Sequence, residues 1–247
     1  MSTTVHIHVF TTEAELAQAA AKRIVDRVRA DASAVVGLAT GSSPVAVYAE
    51  WGRQARELGL DQSGVRGFAL DEYLGLDPSD PRSYHAVIRR DAVAGAGLNA
   101  ELVRIPDGSG RPDAAEEYER TIMEAGGVDV QVLGLGRNGH LGFNEPGSSA
   151  TSRTRVVSLA ETTISDNARF FERQEDVPTA AITQGLGTIF EARELLVIAV
   201  GPAKAAAVQA AIEGEVTEAL PASLLQTHPN VHWFLDEAAA AGLAAVG

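Results

Sequence analysis

The chain has 247 residues, of which 45% are hydrophobic and 5% are aromatic, and its formal net charge is −13. So acidic a chain, with no local cluster of Lys or Arg, argues against a nucleic-acid partner. The absence of cysteine excludes disulfides and thiolate metal sites. No stretch reaches the ~18 apolar residues of a membrane span, and residues 1–10 do not resemble a signal peptide, so we expect a cytoplasmic protein without a membrane partner.

The first predicted elements are a strand and a helix. Residues 5–9 alternate between apolar and polar, as a half-buried strand does, which places His6 and His8 on the polar face. Residues 12–15 then have the pattern of a helix capping box. Apolar residues at i+4 spacing predict the buried face of the helix that follows, and they are Leu16, Ala20, Ile24 and Val28.

A possible phosphate site follows the second predicted strand, residues 35–39. The strand runs into Thr40, Gly41, Ser42 and Ser43, and a helix over 45–58 is expected to begin at Pro44 with Ser43 as its cap. Free amides, hydroxyl groups and the positive helix end can bind a phosphate there. Ordinary helix capping explains the same residues equally well. A P-loop is excluded, because no Lys follows at the required spacing.

Two acidic residues follow the next predicted strand, residues 66–70. A carboxylate at the C-terminal end of a strand can act as a general base, and Asp71 and Glu72 occupy that position. Adjacent side chains on an extended chain point to opposite faces, so we expect one of the two to face a ligand. A capping or surface role for the pair is the alternative.

The glycine-rich loop 134–147, after a predicted strand at 128–135, carries His140 and Glu145. Its first six residues match the G-x-G-x-x-G dinucleotide motif, but Pro146 and further Gly and Asn residues prevent the helix that this motif requires. His140 and Glu145 lack a third ligand at metal-site spacing, so no metal site is predicted. Acid–base chemistry remains, with a histidine bonded only to backbone as the alternative.

Later segments continue the same alternation of strands and helices. Strands are predicted at 153–159, 195–200 and 231–235, with helices such as 113–124 and 203–213 between strands. This order indicates an α/β fold, with an open, mostly parallel, Rossmann-like sheet and helices on both faces. Without a linker or repeat, a single domain over residues 1–247 is expected. Loops that follow parallel strands then meet at one edge, where ligands usually bind.

Two basic residues near these elements are candidates for anion binding. Lys204 lies in the first turn of the 203–213 helix, where the helix dipole disfavours a cation unless an anion is bound. Arg169, on a predicted short connection, could also reach an anion. A solvated Lys and a surface salt bridge are the alternatives. The remaining histidines, His85, His228 and His232, are expected to lie in no cluster.

Taken with these residues, the chain resembles the glucosamine-6-phosphate deaminase (isomerase) family. The motifs are GLATGSSP (37–44), LDEYLGL (70–76), GLGRNGHLGFNEPGSS (134–149), SRTRVVSL (152–159) and DNARFF (166–171). The combination of FNEPGSS and SRTR separates the chain from the related 6-phosphogluconolactonases, which share the fold. The resemblance implies conversion of glucosamine 6-phosphate and water to fructose 6-phosphate and ammonia, with no metal or organic cofactor.

The resemblance also implies residue roles. Asp71 matches the base that moves a proton from C2 to C1, and His140 matches the group that opens the sugar ring, with Glu145 supporting it. Residues 159–179, which carry Arg169, match a lid over the sugar. The expected substrate-binding residues are Thr40, Gly41, Ser42, Ser43, Glu72, Arg169 and Lys204.

Two departures from the family pattern carry expectations of their own. Many members have Asp where this chain has Asn138, which is assigned here to the catalytic group, and Asn138→Asp is expected to shift the acidic limb of kcat/KM. Hexameric, allosteric members have Lys at the position of Val157 and a longer C-terminal tail. We therefore expect a monomeric, non-allosteric enzyme.

The same residues would also suit two other functions. One is a lactonase that uses the same phosphate site and histidine. The other is a non-catalytic sugar-phosphate sensor, although such proteins normally carry a basic DNA-binding segment. The preference between glucosamine and galactosamine 6-phosphate is also open.

Overall fold

The computed structural model describes residues 4–244 and contains two sheets. The strands are β1 (Thr4–Phe10), β2 (Val35–Leu38), β3 (Arg66–Ala69), β4 (Asp71–Tyr73), β5 (Val103–Arg104), β6 (Val130–Gly134), β7 (Arg155–Ser158), β8 (Ala180–Thr183), β9 (Glu194–Ala199) and β10 (Asn230–Asp236). Seven of them form a sheet in the order β1-β10-β9-β6-β2-β3-β5, and every neighbouring pair is parallel. Helices flank this sheet, so the predicted fold class is confirmed.

Helices lie in most of the connections between successive strands, and one more follows the last strand. They are α1 (Glu13–Ala30), α2 (Val45–Glu57), α3 (Tyr84–Ile88), α4 (Ala94–Ala96), α5 (Ala114–Glu124), α6 (Glu161–Asn167), α7 (Leu186–Phe190), α8 (Ala205–Glu213) and α9 (Glu237–Ala240). A π-helical turn, Arg89–Val93, joins α3 to α4. In the part of the chain that is described, no helix has the length and apolar character needed to cross a membrane.

Local sequence signals explain how the first two helices begin. Thr12 and Glu15 form the expected capping box of α1, and the four apolar residues predicted for its inner face are all buried. The prediction that Ser43 caps α2 is wrong. Pro44 occupies the N-cap position with helical backbone angles, and no side chain there accepts a capping hydrogen bond. The fixed φ angle of proline already suits the start of a helix, so α2 begins without a capping side chain from Ser43.

A second, three-stranded antiparallel sheet lies beyond the end of β3, in the order β4-β8-β7. It contains β7, which the sequence alone assigned to the parallel series, and β4 and β8, which were not predicted. Only Leu70 separates β3 from β4, so the chain passes directly from one sheet to the other. The small sheet packs on its own apolar cluster, which includes Tyr73, Phe143, Leu159 and Ala181. This arrangement places segment 159–179 beside the strand ends of the large sheet.

Candidate active site

A cavity of about 860 Å³ lies at the carboxyl ends of β2, β3, β6 and β9. Its walls come from Glu13 and from residues within 39–45, 70–73, 81–91, 134–143, 163–171 and 200–204. The neighbours β6 and β2 continue the sheet in opposite directions, toward β9 and toward β3. A crevice at such a reversal is the usual ligand site of open α/β sheets.

The structure brings most of the predicted site residues into this cavity. Those that line it are Thr40, Gly41, Ser42, Ser43, Asp71, His140, Arg169 and Lys204. Three further candidates, Glu72, Asn138 and Glu145, do not line it. Glu145 and Asn138 lie behind His140, while Glu72 points elsewhere.

Asp71 is the first residue of β4 and is only 5% exposed. A glycine at position 142 allows the loop after β6 to approach it. Gly142 has φ +58°, and a Cβ added there would lie 3.2 Å from Asp71 Oδ2 and 3.0 Å from Thr183 Oγ1. Burial, with a smaller contribution from the nearby charge of Glu72, raises the pKa of Asp71 to about 8. The site therefore holds a carboxyl group that exchanges its proton in the range useful for a base.

Glu72 points away from the cavity, which corrects its assignment as a substrate-binding residue. Its carboxylate accepts backbone hydrogen bonds from Tyr73 (2.8 Å), Tyr84 (2.9 Å) and His85 (2.8 Å). Two of these amides belong to the first turn of α3, where unpaired N–H groups attract a negative charge. The alternation of side chains along β4 sends one carboxyl group to the cavity and the other to this helix.

His140 follows the turn after β6, and glycine at position 136 makes room for its ring. A Cβ added to Gly136 would lie 2.4 Å from His140 Cγ. The ring Nδ1 is buried and lies 3.6 Å from Glu145 Oε2, slightly beyond hydrogen-bond distance. A small rotation of the ring or of the carboxylate would form a His–carboxylate pair.

Both oxygens of the Glu145 carboxylate have a donor. Asn138 Nδ2 donates to Oε2 at 2.8 Å, and the Thr163 hydroxyl donates to Oε1. Burial opposes ionisation, but the nearby His140 ring and the bonds from Thr163 and Asn138 outweigh it and lower the pKa of Glu145 to about 2. Asn138 Oδ1 accepts from the His140 backbone amide at 3.2 Å. Asn138 thus holds Glu145 and the loop backbone.

Positive charge gathers at one end of the cavity. Lys204 ends a 3-10 turn before α8, and its Nζ donates to the Leu135 carbonyl at 2.7 Å. Burial, followed by the charge of Arg169, lowers the pKa of Lys204. The Arg169 guanidinium lies 4.7 Å from the centre of the Phe170 ring. The first turn of α2, beside Ser43, contains no acidic residue. These groups offer an anion two cations and free helical amides.

Sequence reasoning missed several residues that line the cavity. Tyr73 and Tyr84 form an aromatic wall, with ring centres 4.8 Å apart. Arg137 lines the cavity and pairs with Asp166 of α6 at 2.6 Å. Arg137 lies inside the glycine-rich loop and was identifiable from that position. Thr163 carries no comparable signal, because only the packing of α6 brings it to Glu145. Among residues 4–244, no three His, Asp or Glu side chains are arranged to hold a metal ion.

The fold and cavity define an α/β protein in which a buried carboxyl group, a histidine backed by a glutamate, and two cations lie at the ends of the parallel strands. Residues 11–233 match the family model described as Glucosamine-6-phosphate isomerases/6-phosphogluconolactonase, and the chain belongs to this family. The resemblance found in the sequence is therefore confirmed.

Three relatives illustrate the match. A glucosamine-6-phosphate deaminase from Corynebacterium aurimucosum is 50% identical over 237 residues, which cover 95% of this chain and 92% of the relative. The solved structure of a monomeric glucosamine-6-phosphate deaminase has a TM-score of 0.93 and 37% identity, covering 96% of this chain and all of that one. A 6-phosphogluconolactonase from Trypanosoma brucei has a TM-score of 0.77 and 25% identity, covering 98% of this chain and 100% of that chain.

Proposed function

We propose that the protein converts glucosamine 6-phosphate and water to fructose 6-phosphate and ammonia. The observation that carries this proposal is the shared cavity of Asp71 and His140, with Lys204 and Arg169 at one end. An aldose–ketose conversion needs a base beside two neighbouring carbons, a second proton carrier for the oxygens and an anchor for the phosphate. The names of the relatives at about 50% identity agree with this reaction.

The reaction begins with ring opening. The phosphate binds at residues 40–43, Arg169 and Lys204, which places the sugar between the strand ends of β3 and β6. His140 transfers a proton to the ring oxygen as the bond between C1 and that oxygen breaks, and it then takes the proton of the C1 hydroxyl group. Glu145 orients the imidazole and balances its charge. The product of this step is the open-chain aldehyde.

Proton transfer and hydrolysis complete the conversion. Asp71 takes the proton from C2 while His140 returns a proton to the C1 oxygen, which gives an enolamine. Asp71 then gives its proton to C1, leaving a protonated imine at C2. Water adds to the imine carbon, the C–N bond breaks, and ammonia leaves as the ketone forms. A closed site protects the enolamine during the first part of this sequence.

Segment 159–179 is proposed as the lid that provides this closure. Its two ends are joined by a hydrogen bond from the Leu159 amide to the Thr179 carbonyl, 2.9 Å long. Asn167 of the same segment donates to the Tyr73 hydroxyl at 2.8 Å. Phe171 of the segment also packs against the Tyr73 ring, with ring centres 5.9 Å apart. A segment whose ends are fixed while the rest is held by a few side-chain contacts is suited to open and close.

Deamination is proposed in preference to lactone hydrolysis, because the deaminase structure matches this chain better than the lactonase structure in both TM-score and identity. The two activities separate in one substrate panel of glucosamine 6-phosphate, galactosamine 6-phosphate and 6-phosphogluconolactone. The proposal expects ammonia from glucosamine 6-phosphate and no accelerated loss of the lactone. Hydrolysis of the lactone without release of ammonia would assign the protein as a lactonase instead. Release of ammonia from galactosamine 6-phosphate alone would identify that sugar phosphate as the substrate.

The protein is further proposed to be a monomer without allosteric control. Val157, at a position that is Lys in allosteric members, and the monomeric relative support this. Light scattering should give the mass of one chain, and the kinetics should be hyperbolic with or without N-acetylglucosamine 6-phosphate. Sigmoidal kinetics relieved by that compound would contradict the proposal. The single domain, the cytoplasmic location and the lack of a nucleic-acid partner stay predictions.

A further inference from the structure

Thr163 connects segment 159–179 to the group behind the proposed proton carrier. It lies on α6, is 4% exposed, and donates its hydroxyl to Glu145 Oε1. Glu145 belongs to a different part of the chain, the loop that follows β6. A threonine inside a helix commonly donates to a carbonyl of its own preceding turn. The Thr163 hydroxyl instead donates to the partly buried carboxylate of Glu145, which lies outside α6.

We infer that Thr163 is a positioning residue, which brings its hydroxyl to Glu145 when segment 159–179 is closed and so sets the carboxylate against the His140 ring. The inference rests on the proposed deaminase function. It makes the orientation of the His–Glu pair depend on the state of the segment that covers the sugar. Proton transfer to the ring oxygen would then be favoured only in the covered site.

The two oxygens of the Glu145 carboxylate have different hydrogen-bond donors, which supports this inference. Oε2 accepts from Asn138 and is the oxygen that faces His140 Nδ1, while Oε1 accepts from Thr163. One donor leaves a carboxylate free to rotate about its terminal bond, and a second donor on the other oxygen fixes its plane. Asn138 belongs to the same loop as Glu145, so its bond does not depend on the segment. The bond from Thr163 does.

Other contacts of the segment hold it in place without reaching Glu145. Asp166 pairs with Arg137, and Asn167 donates to Tyr73. Within the described residues, the hydrogen bond from Thr163 is the link between α6 and the carboxylate. A substitution at Thr163 can therefore change the orientation of the Glu145 carboxylate while the other contacts still keep segment 159–179 closed.

The experiment compares Thr163→Val and Thr163→Ser with Thr162→Val. Valine keeps the shape of threonine and removes the hydroxyl, whereas serine keeps the hydroxyl. Thr162 is the exposed neighbour on the same helix, so its substitution reproduces the change in helix propensity. Because a hydrogen bond to a charged group is involved, we expect kcat for ammonia release to fall about tenfold in Thr163→Val. Thr163→Ser and Thr162→Val should stay within about twofold of the unmodified enzyme.

A double-mutant cycle tests whether the effect passes through the carboxylate. In a Glu145→Gln background, where activity is already reduced, adding Thr163→Val should lower kcat no further. Additive losses in the cycle would show that Thr163 acts elsewhere and would overturn the inference. So would a Thr163→Ser enzyme as slow as Thr163→Val, a comparison that holds even if the valine variant folds poorly.

The outcomes also separate this inference from the proposed function. If the unmodified enzyme releases ammonia and Thr163→Val is as fast as Thr162→Val, only the role of Thr163 is contradicted. If the unmodified enzyme releases no ammonia from glucosamine 6-phosphate, the proposed function fails and the inference fails with it.

Discussion

The carboxyl groups of Asp71 and Glu72, neighbours in β4, face opposite sides of the strand. Asp71 lines the cavity, while Glu72 accepts hydrogen bonds from the first amides of α3. The two carboxyl groups nevertheless remain close enough for the negative charge of Glu72 to raise the pKa of Asp71. The residue that anchors a helix thus also adjusts the proposed base.

Glu72→Gln should move the acidic limb of kcat/KM to lower pH. A base acts in its ionised form, so kcat/KM falls as the pH drops through the pKa of Asp71, which is about 8. Removing the negative charge of Glu72 removes one of the two causes of that raised pKa. Profiles for both enzymes with the same substrate give the shift directly, since titration of the substrate cancels.

The control for this comparison is Glu124→Gln, which removes the same charge from an exposed position on α5. Its profile should superimpose on that of the unmodified enzyme. A limb that stays in place in Glu72→Gln, whatever the height of the profile, would show that Glu72 does not influence the base.

Asp71→Asn should make the protein more resistant to heat at alkaline pH. The pKa of Asp71 rises from 3.8 to about 8 on folding, so its contribution to the free energy of unfolding is present below pH 3.8 and is lost as the pH rises through about 8. Asparagine carries no charge that burial can penalise. The difference in Tm between variant and unmodified enzyme should therefore be more positive at pH 9 than at pH 4, and equal differences would contradict it.

Asn138→Asp should move the acidic limb of kcat/KM to higher pH. The Asn138 amide donates to Glu145 at 2.8 Å, and a carboxylate in its place can bond there only if the pair holds a proton. The pKa of Glu145, now about 2, should consequently rise. Both profiles should be recorded, because kcat/KM reports the groups of the free enzyme and kcat those of the enzyme–substrate complex. Gln18→Glu adds the same charge on the exposed face of α1 as a control, and superimposable profiles would rule the prediction out.

Lys204→Met should weaken substrate binding more than it slows turnover. A charged donor to phosphate contributes on the order of 10- to 100-fold in affinity, so KM for glucosamine 6-phosphate should rise by about that factor. Lys22→Met, an exposed substitution on α1, serves as the matched control and should leave KM unchanged. An unchanged KM in Lys204→Met would place the phosphate elsewhere in the cavity.

Much of the large sheet could be predicted because its signals are local. Buried parallel strands are short apolar runs, so β2, β3, β6, β9 and β10 were located to within two residues or so. The small sheet was missed for the opposite reason. In it, Asp71 pairs with Thr183, and nothing near either residue indicates a partner so far away in the chain. Short antiparallel strands of this kind depend on tertiary contacts.

The same distinction explains what could be predicted of the site. Asp71, His140 and Lys204 follow strands whose carboxyl ends meet at one edge, so the topology alone brings them together. Non-local packing decided the rest. His232 was expected to lie in no cluster, and that was wrong, because β1 pairs with β10 and stacks His6 on it at 4.4 Å. Thr163 reaches Glu145 by packing in the same way.

Product analysis of Asp71→Asn tests most directly whether Asp71 is the base of an amino-sugar-phosphate deaminase. With glucosamine 6-phosphate, the unmodified enzyme should release ammonia and fructose 6-phosphate in equal amounts. Asp71→Asn should form neither, while calorimetry shows that it still binds the sugar phosphate. Normal turnover by Asp71→Asn, or an unmodified enzyme that binds glucosamine 6-phosphate without releasing ammonia, would contradict the account.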